Sequence, residues 1–258
     1  VSGPDASPVD SIGAVLAAMD QRLAVLPPDR AVDQVFLQTY RRTTAAVGAA
    51  VEAAAFEDPV WVERWDVAFA GRYLAALDLH LGASPQVPRP WQLAFDAPPE
   101  LPALRHVLVG INAHVNYDLP QALLDVITDA EFDDPVLLAR RRRDHERIDA
   151  VLAGRVAAED GELASVTPRS VLDRLLQPLN RLSSRRFLRE ARQKVWHNTG
   201  ELQVARRIGP LAYAERLAEL EVLSAARIAD LLAPGQVLLR LAVAGFGVTL
   251  PPAPARPA

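Results

Sequence analysis

Read at about 100° per residue, nearly every apolar-rich stretch of this chain gathers its apolar side chains on one side of a helix, and no β-branched alternating run interrupts the pattern. "SIGAVLAAMDQRLAVL" opens with Ser11 as a helix N-cap and keeps helical spacing until Pro27 and Pro28 stop it. "AVDQVFLQTYRRTTAAVGAAVEAAAF" continues to the "EDP" break at residues 57–59. "PVWVERWDVAFAGRYLAALDLHLG" has Pro59 in its first turn and Gly82 just past its end, the asymmetry of helix boundaries. Three further helical segments follow residue 135, the last two separated by Gly209. The pattern predicts an all-α fold: a single compact multi-helix domain over residues 1–250, with a flexible start at 1–10 and a disordered proline-rich tail at 251–258. No internal repeat or composition shift marks a second domain.

Composition narrows the function classes. The chain has 258 residues, 50% hydrophobic and 23% charged, as a globular protein does. A formal net charge of −4 gives no footprint for a phosphate backbone, so no nucleic acid is expected as a partner. The one basic run, Arg140 to Arg143, is followed by Asp144 and Glu146 and reads as a solvated, salt-bridged helix face. With no cysteine, disulfides, thiolate nucleophiles and cysteine-ligated metals are excluded. No apolar run reaches the roughly 20 residues of a membrane span, and no signal sequence opens the chain, so the expected location is cytoplasmic, away from the membrane.

Within "LRHVLVGINAHVNYDLP", Leu104, Val107, Leu108, Ile111, Val115 and Leu119 form an apolar arc. His114 and Asp118 fall inside it, one turn apart and within mutual reach, while Arg105, Asn112 and Asn116 project to the other side. A buried ionisable pair costs free energy unless it is satisfied, so it is either a structural clasp or a site. Gly110, on the ladder between His106 and His114, leaves backbone uncovered and gives a ligand room.

The helix of residues 59–81 repeats the anomaly. Val62, Trp65, Phe69, Tyr73 and Leu77 define its apolar face, and Asp66 lies within that face. If the two helices pack together, Asp66, Tyr73, His114 and Asp118 converge in a polar pocket with apolar walls, the composition of a small-molecule site. The proline-rich stretch 83–102 is long for a connector; it is either a surface connector anchored by Trp91 and Phe95 or a lid. Asp144 and His145 flank an apolar stripe of Ile148, Val151 and Leu152, but the neighbouring arginines favour surface ion pairs. Arg192 and Trp196 sit beside the face defined by Leu188, Val195 and Thr199, His197 points away, and His80 reads as a helix C-terminal dipole partner.

"FEDPVWVERWDVAFAGRYLAAL", "PRPWQLAF", "LRHVLVGINAHVNYDLP", "DHERIDAVL" and "REARQKVWHN" together resemble a family of uncharacterised actinobacterial proteins, the domain of unknown function numbered 5995. The N-A-H-[IV]-N-x-D-L signature is its most specific part, and the resemblance runs from about Phe36 to His197. It implies that His114, Asn116 and Asp118 belong to the family pattern, and that Asp66, Tyr73, Arg192 and Trp196 sit in family motifs. His145 stands where similar proteins carry an aromatic residue, which weakens any case for it as a ligand. The resemblance implies a site and no activity.

No G-x-S-x-G elbow, P-loop, G-x-G-x-x-G or H-E-x-x-H is present, and "EFDDPV" at 131–136 reads as an acidic helix cap. The expected function is an enzyme acting on a small, largely apolar metabolite, such as one of secondary metabolism, by acid–base chemistry. Its catalytic residues are His114, Asp118 and Asp66, with Asp118 raising the pKa of His114. Substrate contacts are expected from Tyr73, Arg192, Trp196, Gly110 and His106; Tyr73 donates to a developing oxyanion and Arg192 holds an anionic group. Cyclisation, isomerisation and hydrolysis all fit. No cofactor is required. One alternative is a divalent metal held by His114 and Asp118 with Asp66 or His106, although His106 sits about 80° from His114 on the helix. The other is a non-catalytic carrier or sensor of an apolar small molecule, in which the polar residues only orient the ligand.

Overall fold

The computed structural model describes residues 10–27, 30–163, 171–235, 245 and 247–253, with the side chains of residues 31, 32, 103, 104, 149 and 152–189 left aside. The expectations for residues 1–9 and 254–258, and for Leu104, Leu152 and Leu188, fall outside that description. Every regular element among the described residues is helical, in the order α1 (Ile12–Val25), α2 (Ala31–Glu52), α3 (Pro59–Leu81), α4 (Arg89–Phe95), α5 (Ala103–Ala113), a π-helical turn (His114–Asp118), α6 (Leu119–Val126), α7 (Asp129–Asp133), α8 (Pro135–Leu163), α9 (Val171–Ile208) and α10 (Pro210–Leu232). None of the described helices is long and apolar enough to cross a membrane.

Local chemistry sets the boundaries. Ser11 caps α1 by accepting the Ala14 N–H at 3.2 Å, and Asp58 caps α3 by accepting that of Trp61 at 3.1 Å, with Pro59 in the first turn. Thr128 and Glu131 form a reciprocal capping box on α7. Asp134 then accepts the Val136 and Leu137 N–H groups at 2.8 and 3.1 Å to start α8. Gly209, at φ 149°, turns the chain between α9 and α10 in a conformation open to glycine, and Pro210 opens the next helix.

α3 is the spine. Its C-terminal half packs with α1, α2, α4, α5 and α10 in a core containing Leu37, Tyr73, Leu77, Trp91, Ile228 and Leu231. Its N-terminal half joins α6, α8 and α9 around Trp61, Val62, Trp65, Leu123, Ile127 and Val195. The helices of residues 59–81 and 103–119 are neighbours through the π turn, and α3 runs on along α6.

The stretch 103–126 departs from the uninterrupted helix that its spacing predicts. At the π turn the Leu119 N–H reaches back five residues to the His114 carbonyl. Pro120 supplies the reason. It has no N–H for the Asn116 carbonyl four residues back, and in an α-helix its ring would strike that carbonyl, so the widened turn gives the ring space. The expected outward orientation of Asn112 and Asn116 is also corrected. Both are buried: Asn112 Nδ2 donates to the Leu108 carbonyl at 2.8 Å, and Asn116 Nδ2 donates to Asn112 Oδ1 at 3.2 Å.

A non-helical segment at residues 247–251 covers this side. The Val248 N–H reaches Asn116 Oδ1 at 3.4 Å, the Leu250 N–H donates to Asn198 Oδ1 at 2.9 Å, and Leu250 is buried. Asn198, Lys194 and Arg216 in turn donate to the carbonyls of Val248, Gly247 and Pro251. Side-chain amides and cations thus satisfy backbone groups of this segment.

The stretch 83–102 is not only a connector. Its middle folds as α4, started by Pro88 and Pro90, and buries Trp91 against α5 and α10.

Candidate functional site

On α3, residues spaced by four place Trp61, Trp65, Phe69 and Tyr73 on one stripe, and Trp61, Trp65 and Phe69 stack in succession. The His114 imidazole continues the stack: it lies on the Phe69 ring at 3.6 Å between centroids and 5° from parallel. Tyr40 from α2 meets it edge-on at 4.7 Å, with Trp91 and Tyr73 at 5.8 and 6.0 Å. The imidazole is therefore walled by aromatic rings from α2, α3 and α4.

Its orientation is fixed from one side. His114 Nδ1 lies 2.8 Å from Asp118 Oδ2, and the same oxygen accepts the Trp91 indole N–H at 2.7 Å. With Asp118 as carboxylate, Nδ1 carries the proton and Nε2 presents a lone pair. Nε2 is buried and has no hydrogen-bond partner. The same holds for Tyr73 Oη and Asp66 Oδ2, while the buried Tyr40 Oη and Thr44 Oγ1 lie close enough for Thr44 to temper the Tyr40 phenol. Tyr40 ties these groups together: it touches the rings of His114 and Tyr73 and feels the charges of both Asp66 and Asp118.

Electrostatics there favour neutral forms. Burial pushes His114 below its ordinary value, and the Asp118 hydrogen bond and charge recover only part of that fall. Asp118 does raise the His114 pKa, as expected, but desolvation outweighs the carboxylate and the net shift is downward. Burial, with a small contribution from Glu63, raises Asp66 to about 7. Tyr40 is pushed well above the ordinary phenol value by burial and then by Asp66 and Asp118, and Tyr73 is pushed up by burial.

The remaining expected site residues lie elsewhere. At Gly110 the Cβ position is taken by the Phe36 ring, 2.5 Å away at Cδ2, and the residue lines a cleft with His106 and Asp33 rather than the dyad's surroundings. His106 is buried away from the dyad, in a cleft with Asp33. Trp196 Nε1 donates to His145 Nδ1 at 3.0 Å, and burial and then the Arg192 charge depress His145, so these residues form a second cluster, linked to His114 by the rings of Trp65 and Phe69. Asp144 and His145 are buried, against their expected surface reading. Asp144 turns inward to accept the Glu57 and Asp58 N–H groups at 2.7 and 2.8 Å. Among the described residues no three of His, Asp or Glu gather as a metal-ion site, so the divalent-metal alternative lacks its third ligand.

Two members of the site were not assigned roles from the sequence. Tyr40 belongs to a Phe36, Tyr40, Thr44 stripe on α2, and that four-residue spacing was the available signal. Trp91 holds Asp118 across 27 residues of sequence, a contact that only the tertiary packing creates.

No curated protein and no solved structure matches the chain. A family of unknown function, DUF5995, matches over residues 12–234, from the first helix to the end of α10, and the chain belongs to that family.

Proposed function

We propose that the protein is an enzyme acting on a small, largely apolar metabolite by acid–base chemistry centred on His114. The observation that carries this reading is the free, buried Nε2 of an imidazole whose other nitrogen is held by Asp118, itself held by Trp91. A structural clasp needs only the bonded nitrogen. A base needs the other one, fixed in direction and stripped of water. His114 Nε2 removes a proton from the substrate, and Asp118 stabilises the imidazolium that forms. Asp66, protonated below about pH 7, supplies the complementary acid, while the Tyr40 hydroxyl, which feels both Asp66 and Asp118, donates to developing negative charge. A neutral base and a neutral acid in one apolar enclosure suit isomerisation or cyclisation, in which a proton leaves one atom and another is delivered nearby. The aromatic walls must turn aside to admit substrate.

The test incubates the protein with a metabolite extract of its host and follows the extract by mass spectrometry. Product in excess over protein, lost in His114→Gln, supports the reading. A ligand recovered unchanged over many equivalents and still bound by His114→Gln makes the protein a carrier.

A further inference from the structure

Between α2, α4 and α5 lies a cleft lined by Asp33, Phe36, Trp91, Phe95 and His106. His106 is 6% exposed and neither buried ring nitrogen makes a well-aligned hydrogen bond, although the Pro99 and Leu101 backbone lies close enough to raise its pKa in part. Asp33 is 3% exposed, and Arg30 approaches its carboxylate at 3.9 Å, too far to donate a hydrogen bond. Two strongly polar side chains therefore line one cleft without strong partners, which a folded chain tolerates where something else binds.

The surroundings select what that is. The cleft's cavity volume of about 10 Å³ suits one water-sized group. Aromatic rings form its walls, with Phe36 and Trp91 at 5.6 Å and Trp91 and Phe95 at 5.2 Å between centroids. Aromatic faces attract cations. The charges around Asp33 are Arg30 and Asp96, and Arg30 Nη1 also lies 2.8 Å from His80 Nε2. Two carboxylates against one guanidinium leave a negative balance, which disfavours an anion. Burial keeps His106 neutral, so one of its nitrogens offers a lone pair. A divalent metal lacks a third ligand among the described residues. A primary ammonium head has the size of a water, three donors for Asp33 and His106, and a charge that the aromatic walls favour.

We infer that this cleft binds a primary ammonium group, and that the group belongs to the substrate of the His114 site. The second clause rests on the function proposed above. Trp91 joins the two places: its ring walls the cleft, and its N–H is committed to Asp118. The substrate class is then a small primary amine with an apolar body.

The experiment titrates the full chain with n-butylammonium chloride and follows the Trp91 indole N–H resonance, assigned with Trp91→Phe. Saturable movement is expected, weakened about 10-fold or more in Asp33→Asn and in His106→Phe, each checked for native helicity. The His114→Gln variant is expected to bind as the parent does, so failure of the catalytic reading leaves this measurement intact. n-Butanol is expected to give no saturable shift. Absence of saturation in the folded parent overturns the inference, as does unchanged affinity in both cleft variants. Equal responses to ammonium, potassium and n-butylammonium chlorides reduce the cleft to a simple monovalent cation site and overturn the assignment to a substrate.

Discussion

Two buried aspartate–histidine regions flank the same helix, and their polar atoms are treated in opposite ways. At the start of α3, Asp144 accepts two backbone N–H groups and Arg147 Nη1, His145 accepts the Trp196 indole, and Arg141 reaches both Asp58 and Glu131. Farther along α3, His114 Nε2, Asp66 Oδ2 and Tyr73 Oη are equally buried and have no partner. Burial of charge is common to both regions and marks neither as a site. The aspartate and histidine separate them: at the start of α3 Asp144 and His145 Nδ1 find partners, although the Trp61 and Trp65 indole N–H groups beside them do not, whereas farther along an imidazole nitrogen and a carboxylate oxygen are left over, a cost the fold carries for another reason.

The comparison breaks if its first region proves catalytic or its second proves merely structural. The largest effect is expected at His114: His114→Ala should lower turnover about 100- to 10,000-fold, measured on the product identified by mass spectrometry, while far-ultraviolet circular dichroism stays native. Asp144→Ala should instead lower stability by about 2–4 kcal/mol in a urea melt, because two N–H groups at the start of α3 lose their acceptor, and turnover per folded molecule should hold.

Asp66→Asn should move stability the other way. The folded carboxyl titrates at about 7 against an ordinary 3.8, so the folded state binds the extra proton between these values and stability falls as pH rises through that window. The variant should therefore be more stable than the parent above pH 7, by about 1–2 kcal/mol, under a ceiling of roughly 4 set by three pKa units; the gain should vanish below about pH 4. Denaturant melts at several pH values read this directly, and a pH-independent difference would place Asp66 in an ordinary satisfied environment. The smallest effect is expected for Trp91→Phe, about 1 kcal/mol of stability, since Asp118 keeps its bond to His114. Its diagnostic readout is the His114 titration followed by NMR. With one donor removed, Asp118 holds a more concentrated negative charge and the His114 pKa should rise; a purely packing role for Trp91 leaves it in place.

Much of this was legible where helical phase is undisturbed. α3 keeps one phase for 23 residues, so the inward Asp66 and the aromatic stripe could be read by counting. His114 and Asp118 were legible as a pair because a spacing of four brings side chains together in either helical form. Asn112 and Asn116 were not, since α10 and the distant segment at 247–251 pack where counting leaves solvent. Asp144 and His145 were hidden by their neighbours: a run of arginines signals a surface, yet the inward partners of Asp144 are main-chain groups some 86 residues away, and no side-chain pattern announces them. Trp91 shows the same limit, because its bond to Asp118 exists only once α4 is seated.

The π turn gives the His114 site an unusual sensitivity to chain length. The His114 carbonyl is held by the N–H of residue 119, and its ring nitrogen by the side chain of residue 118. Both anchors are therefore counted across the same short interval. A substitution at half-buried Val115 changes neither count. One residue inserted or deleted there shifts both anchors together, although the segment can still continue as a helix from α5 into α6. What this interval protects is its number of residues, more than the identity of each.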